Sequence, residues 1–298
     1  MIRKSSHLNK STNTSCRIIN LYITWKEILM KNFFIAITLT ICTAFAAFTA
    51  CSKPETKSES TALTWIKDNP GERLMPRTLF SDASDSLYAS LNMPNGIPAS
   101  VGTFLMKADG EYALFDAGFG DFGGEMLKRL EQLGVSPDSI KIVYLTHMHT
   151  DHIGGLVSGV QQGNPQKVFR NAEIYLGKIE RDAWLNEIPN NDLQKAVIAI
   201  YSDKLHLFNF NDTLPHGVVA LDAVGHTPGH TAFLTGETLV AGDLMHGYAL
   251  QNDHPEINSN YDMDKPKSAE SRKRLMDYAK QNHLTMAGMH LPEPGFVK

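Results

Sequence analysis

Thr146-His147-Met148-His149-Thr150-Asp151-His152 places three histidines and one aspartate within six positions, directly after the apolar run Ile140 to Leu145. Imidazole nitrogens and carboxylate oxygens are ordinary ligands for zinc and similar ions. A strand that ends in a tight loop can aim alternate side chains at one point. His147 and His149 share strand parity and could grip one ion. Asp151 and His152 lie where the chain should turn and could reach a second, since one ion does not need all four. A lone histidine here would be read as a solvated loop residue; a cluster this dense reverses that reading.

Further candidates follow in order. Gly225-His226-Thr227-Pro228-Gly229-His230 is a Gly/Pro turn carrying two histidines. Ala241-Gly242-Asp243-Leu244-Met245-His246 follows a short apolar run, which puts Asp243 at a strand end. Met289-His290-Leu291-Pro292 supplies a late histidine. The succession HxHxDH, GHTPGH, GD and a late His resembles the metallo-β-lactamase fold superfamily over residues 101–290. The resemblance implies an α/β fold, the four-layered αβ/βα sandwich. It also implies two divalent metal ions, with zinc suiting the ligands best. His147, His149 and His226 would hold the first ion; Asp151, His152 and His290 would hold the second. Asp243 would bridge them, and His230 would support the turn.

The carboxylate at 243 is unlike the zinc β-lactamases and resembles the binuclear hydrolases. His290-Leu291-Pro292-Glu293-Pro294-Gly295 resembles the methyl parathion hydrolase branch, with Glu293 where that branch has Phe. A charge would then stand near the pocket in place of an apolar side chain. The implied reaction is attack by a metal-bridging hydroxide on an ester-type bond, since coordination lowers the pKa of water from ~15.7 toward ~7. Asp243 would bridge and orient, and Asp151 could relay a proton to the leaving group. His246 stands where the lactonase branch has a Tyr; it could donate a hydrogen bond to substrate, or be a surface or supporting histidine. The first reading is a hydrolase for organophosphate triesters or aryl esters. The alternative is an acyl-homoserine lactonase or glyoxalase II-like thioesterase. A non-enzymatic metal-binding protein ranks below both, because no ligand position is missing.

Elements that could position these residues are legible in the pattern. Strands are expected at Val101 to Met106, Tyr112 to Phe115, Ile140 to Leu145, Ala172 to Leu176, Leu205 to Phe210, Val218 to Ala223, Thr231 to Leu234, Thr238 to Ala241 and Leu284 to Gly288. Helices are expected at Gly124 to Leu133, Lys178 to Ile188, Asp192 to Tyr201 and Ser268 to Gln281, the last capped by Ser268. Asp116, in Asp116-Ala117-Gly118, would support the metal loop or cap local amides. Gly154 and Gly155 would allow close backbone approach to it. Trp184 reads as helix core rather than pocket wall.

The chain carries 28 basic and 32 acidic residues in 298. Six bases and one acid fall in the first 51, so residues 52–298 carry a net charge of −9. Such an acidic body excludes nucleic acid as a partner and points to a small-molecule substrate. A homodimer is left open. Residues 1–29 fit no targeting pattern and are read as an over-extended N-terminus, with translation starting at Met30. Residues 30–51 resemble a lipoprotein signal peptide, with a short charged start, an apolar run from Phe33 to Ala50, and Cys51 in a lipobox-like Phe48-Thr49-Ala50-Cys51. Residues 52–61 form a polar tether, and 62–298 the hydrolase domain. The expected location is a bacterial periplasm or outer membrane, with membrane contact only through the lipid. Cys16, Cys42 and Cys51 all fall in the leader, so the mature body has neither a disulfide nor a Cys ligand.

Overall fold

The computed structural model describes residues 62–298. The over-extended start, signal peptide, lipidation site and tether expected from the sequence lie outside the described residues. Strand β1 (Ala62–Lys67) precedes an antiparallel pair, β2 (Arg73–Met75) and β3 (Ile97–Ala99), with helix α1 (Asp85–Leu91) between them. Next come β4 (Gly102–Ala108), β5 (Glu111–Phe115), α2 (Met126–Gln132), β6 (Ile140–Leu145) and the single-turn α3 (Thr150–Ile153). A short pair, β7 (Val157–Ser158) and β8 (Gln166–Lys167), leads to β9 (Glu173–Gly177), α4 (Lys178–Asn186), α5 (Asp192–Ile200) and β10 (Leu205–Phe208). The remainder is β11 (Val219–Asp222), β12 (Thr231–Thr235), β13 (Thr238–Val240), α6 (Tyr248–Gln251), α7 (Lys265–Gln281), β14 (Thr285–Ala287) and β15 (Phe296–Val297).

Two sheets result, in the orders β1-β4-β5-β6-β9-β10 and β11-β12-β13-β14-β15. Side-chain alternation explains why they stack. In β6, Ile142 and Tyr144 point to the second sheet, and Val143 and Leu145 point to the helices. Phe104, Phe115, Tyr144, Phe208 and Phe233 fill the space between sheets; Phe115 stacks on Tyr144 at 5.1 Å and Phe233 meets both at 5.7 Å. Each such ring contributes roughly 1.5–3 kcal/mol on burial. Outside the first sheet, Met126, Leu130, Trp184 and Val197 cover its apolar face; outside the second, Leu275 and Ala279 of α7 do the same. The layers therefore run helix, sheet, sheet, helix, as the fold expectation requires.

Most expected elements form within a few residues of their expected bounds. Helix α7 is the main correction. It starts at Lys265, and Asp264 caps it, accepting from Lys267 N at 3.2 Å. Pro266 suits the first turn of a helix, where its missing N–H costs nothing. Ser268 lies inside the helix, buried, with its hydroxyl accepting from Arg272 Nη2. Glu293 is also corrected: it pairs with Lys67 and does not line the cavity described below.

Gly154 and Gly155 do approach backbone closely, but at the Asp116–Phe119 turn and not at the His147–His152 loop. A Cβ on Gly155 would stand 1.9 Å from the carbonyl oxygen of Ala117, a backbone atom with little freedom to move. Gly155→Ala is therefore expected to destabilise the fold by about 3 kcal/mol, the upper range for overpacking. Urea titration checks this; an unchanged midpoint would mean that the loop shifts freely.

Candidate metal centre

The candidate ligands all sit just beyond strand ends on one side of the two sheets. β6 ends at Leu145 and delivers His147 and His149; α3 turns Asp151 and His152 inward. The loop from β11 to β12 brings His226, β13 brings Asp243, and β14 brings His290. The sheets are stitched at this end by the Thr231 N–H, which donates to Thr146 O at 2.9 Å. Gly242 has φ 55°, and a Cβ there would lie 2.4 Å from His230 Nε2, so only glycine lets Asp243 turn in.

All seven residues converge. His147, His149, His226 and Asp243 bring one donor atom each within 4.8 Å of one another. So do Asp151, His152, Asp243 and His290. Asp243 belongs to both groups. Its Oδ1 lies 3.1 Å from His152 Nε2, and its Oδ2 lies 3.1 Å from His290 Nε2 and 3.3 Å from His226 Nε2. His149 Nδ1 stands 2.9 Å from both His147 Nε2 and His226 Nε2. Three imidazole nitrogens crowded this way suit a shared cation better than shared protons.

Other groups fix which nitrogen faces the centre. Asp116 Oδ2 binds His152 Nδ1 at 2.7 Å, which realises the supporting role expected for Asp116. Its Oδ1 also accepts from Thr146 N at 2.8 Å. Asp262 Oδ1 binds His226 Nδ1 at 3.0 Å, and Ser100 O accepts from His290 Nδ1 at 2.9 Å. Such outer bonds turn Nε2 inward and set the tautomer. His230 supports the turn as expected, with Nδ1 on Ala223 O at 2.9 Å and Nε2 accepting from Asp243 N at 3.1 Å.

Electrostatics agree with a cation site. Burial, then the neighbouring His152 or His226, holds His147 and His149 neutral; the pKa of His149 falls to about 3. Neutral imidazole is the form that metals take. Burial also disfavours charge on His290, but Asp243 and Asp151 outweigh it and push its pKa up to about 10. His152 is raised in the same way by Asp243, Asp116 and Asp151. Divalent metals fit this donor set. His152 Nε2 and Asp243 Oδ1, buried and 3.1 Å apart, make no hydrogen bond among the described residues, the state of atoms reserved for a ligand.

The centre opens into a cavity of about 280 Å³. His149, Asp151, His226, Asp243, His246 and His290 form its floor, and Arg73, Phe119 and Tyr261 stand among its other lining residues. His246 is buried, not a surface residue. Its Nε2 lies 3.2 Å from Asp243 Oδ2, and its ring stacks on His290 at 4.9 Å. Trp184 lies in the core as expected, its ring 5.6 Å from that of His149. His206, His254 and His283 stand away from the centre, and His216 pairs with Asp109 and Glu111.

Three supporting residues escaped the sequence reading. Glu180 accepts from Met148 N (2.9 Å), Trp184 Nε1 (2.6 Å), Thr227 Oγ1 (2.8 Å) and Gly229 N (2.9 Å). It thereby ties the His147–His149 loop to the His226 turn. Asp262 sits in an irregular stretch that gives no signal. Arg272 is fully buried and donates to Leu244 O, Pro255 O, Ile257 O and Asp262 Oδ2. Its signal was available: a cation at core spacing with Ser268, Leu275 and Ala279 on α7.

The family model described as Metallo-beta-lactamase superfamily matches residues 97–290. The chain is 31% identical over 142 residues to the hydroxyacylglutathione hydrolase GloC of Haemophilus influenzae, 42% of this chain and 59% of that one. It is 36% identical over 76 residues to a ribonuclease Z of Pyrococcus abyssi, 26% of this chain and 23% of that one. It thus spans less than two thirds of either relative. Among solved structures it resembles AidC, a dizinc quorum-quenching lactonase, with TM-score 0.71 and 27% identity over 81% of this chain and 92% of that one. It also resembles the hydrolase AbOPH of the beta lactamase superfamily, with TM-score 0.70 and 25% identity over 80% and 90%.

Proposed function

The chain belongs to the metallo-beta-lactamase superfamily, and from that premise we propose that it is a binuclear metal-dependent hydrolase cleaving ester-type bonds, an aryl ester or organophosphate triester. One observation carries this reading: two four-residue donor groups share Asp243 at the floor of a cavity. His147, His149, His226 and Asp243 would hold one ion, and Asp151, His152, Asp243 and His290 the other. Divalent ions bound there would supply Lewis acidity and a water of lowered pKa. The protein's own groups do the rest. Asp116, Asp262 and the Ser100 carbonyl orient the histidines. The Asp151 side chain keeps 18% of its surface exposed at the cavity floor, where it can pass a proton to a departing oxygen. Both ring nitrogens of His246 are buried without a hydrogen-bond partner among the described residues, and its ring lines the cavity. It can therefore donate to a substrate oxygen.

Phe119 and Tyr261 on the wall favour an aryl group, and with the Leu291-Pro292 tail they support a methyl parathion hydrolase-like activity. A lactonase is the second reading, favoured by the likeness to AidC over four fifths of the chain. Metal analysis and a side-by-side assay decide. About two ions per chain, with turnover of aryl esters or paraoxon-type triesters, is the expected result. Turnover confined to acyl-homoserine lactones or glutathione thioesters would replace the first reading with the second. Absence of metal and of all turnover after reconstitution would sink both.

A further inference from the structure

Arg73 is the cavity residue that the proposed chemistry leaves without a task. It lies on β2, upstream of the segment matched by the family model, and lines the same cavity as His149, Asp151, His246 and His290. Its Nε is buried and has no hydrogen-bond partner among the described residues. Arg129 and Arg181 also bury an unpartnered Nε, but the guanidinium of each still reaches a carboxylate. Arg77, Arg129, Arg181, Arg272 and Arg274 each meet a carboxylate: Asp85, Glu125, Asp182, Asp262 and Asp222 respectively. The cavity's own carboxylates are engaged elsewhere, Asp151 with His290 at 3.3 Å and Asp243 with four histidines. A buried Nε–H without an acceptor carries a desolvation cost that a ligand oxygen would relieve. In a body of net charge −9, a cation left unpaired beside a reaction centre is all the more exceptional.

We propose that Arg73 binds an oxyanion on the substrate, a carboxylate or a phosphate carried near the bond that is cleaved. The inference rests on the hydrolase reading and narrows its substrate class to anionic esters. The planar guanidinium offers parallel N–H donors that match two oxygens of either group. A neutral ester would leave those donors unused.

The test compares matched ligands on the metal-loaded full chain. Calorimetry would measure 4-hydroxybenzoate and phenyl phosphate against neutral 4-hydroxybenzamide, in the wild type, Arg73→Met and Arg73→Lys. Kinetics would measure the preference for 4-acetoxybenzoate over 4-acetoxybenzamide. A charge-assisted pair predicts that R73M weakens anion binding relative to the amide by about tenfold or more, with R73K recovering part of it. The ester preference should fall by a similar factor. The larger loss, for benzoate or for phenyl phosphate, identifies which oxyanion the site prefers. An unchanged ratio in both measurements overturns the proposal. If the wild type cleaves both esters while the ratio is unmoved, the hydrolase reading stands and the role of Arg73 falls. If neither these esters nor any substrate of the side-by-side assay is cleaved but the calorimetric ratio collapses in R73M, Arg73 keeps its role and the hydrolase reading falls. Metal content and thermal melting of each variant exclude simple misfolding.

Discussion

Asp243→Ala is expected to lower hydrolysis about a thousandfold, because the ions' stabilisation of developing charge amounts to several kcal/mol and each 1.36 kcal/mol is tenfold in rate. The carboxylate stands at the junction of both donor groups, within 3.3 Å of His152, His226, His246 and His290. Its removal strips one ligand from each group at once. It also strands His290 and His152, whose raised pKa values depend chiefly on this charge. Metal content should therefore drop below one ion per chain. Asp151→Ala should be milder, since it leaves the His147, His149, His226 and Asp243 group complete. Metal analysis of the two variants, with initial rates on the best substrate, checks the ordering. An Asp243→Ala protein that keeps two ions and works within a few fold of wild type would remove the bridging role.

Glu180→Ala should have the second largest effect, without touching any ligand. Four donors from three separate segments converge on this buried carboxylate. Burial raises its pKa, while Thr227, Met148, Trp184 and Gly229 favour the ionised form. Truncation leaves donors unsatisfied at about 1–3 kcal/mol each, and a total near 4 kcal/mol follows if entering water satisfies some of them. The loss should be seen first in the His147–His149–His226 group, because Met148 and Thr227 adjoin those ligands. Denaturation midpoints and the order of metal release against a chelator test it. Loss of stability with no change in that order would make Glu180 an ordinary core residue.

The reach of the sequence differed between kinds of residue. His147, His149, Asp151 and His152 were readable because they crowd one strand end, where spacing alone implies convergence. His226, Asp243 and His290 lie about 70 residues or more further on, and only the resemblance joined them to the first motif. Apolar runs found β4 to β6 and β9 to β14, whereas the short strands β2, β3, β7 and β8 were not read and β1 and β15 sit at sheet edges with weak patterns. Glu180 was hidden because a carboxylate beside an apolar helix face looks solvent-facing until its partners, three of them 32 to 49 residues away, are known. Asp262 and Arg73 sit in or beside irregular chain, where no periodicity distinguishes a buried polar group from an exposed one. Glu293 misled for a related reason: a loop residue's direction is set by its ion partner, here Lys67, and not by its neighbours.

The division of ligands between two sheets has a consequence for biosynthesis. The half of the domain made first contributes His147, His149, Asp151 and His152, and neither donor group is whole without residues of the half made later. A nascent chain released as far as β10 can offer only an incomplete, loosely held set to passing ions. Neither donor group can close until β11 to β14 have packed on the first sheet and Thr231 has clasped Thr146. A site completed only at that late step would take its ions from wherever the domain finishes folding.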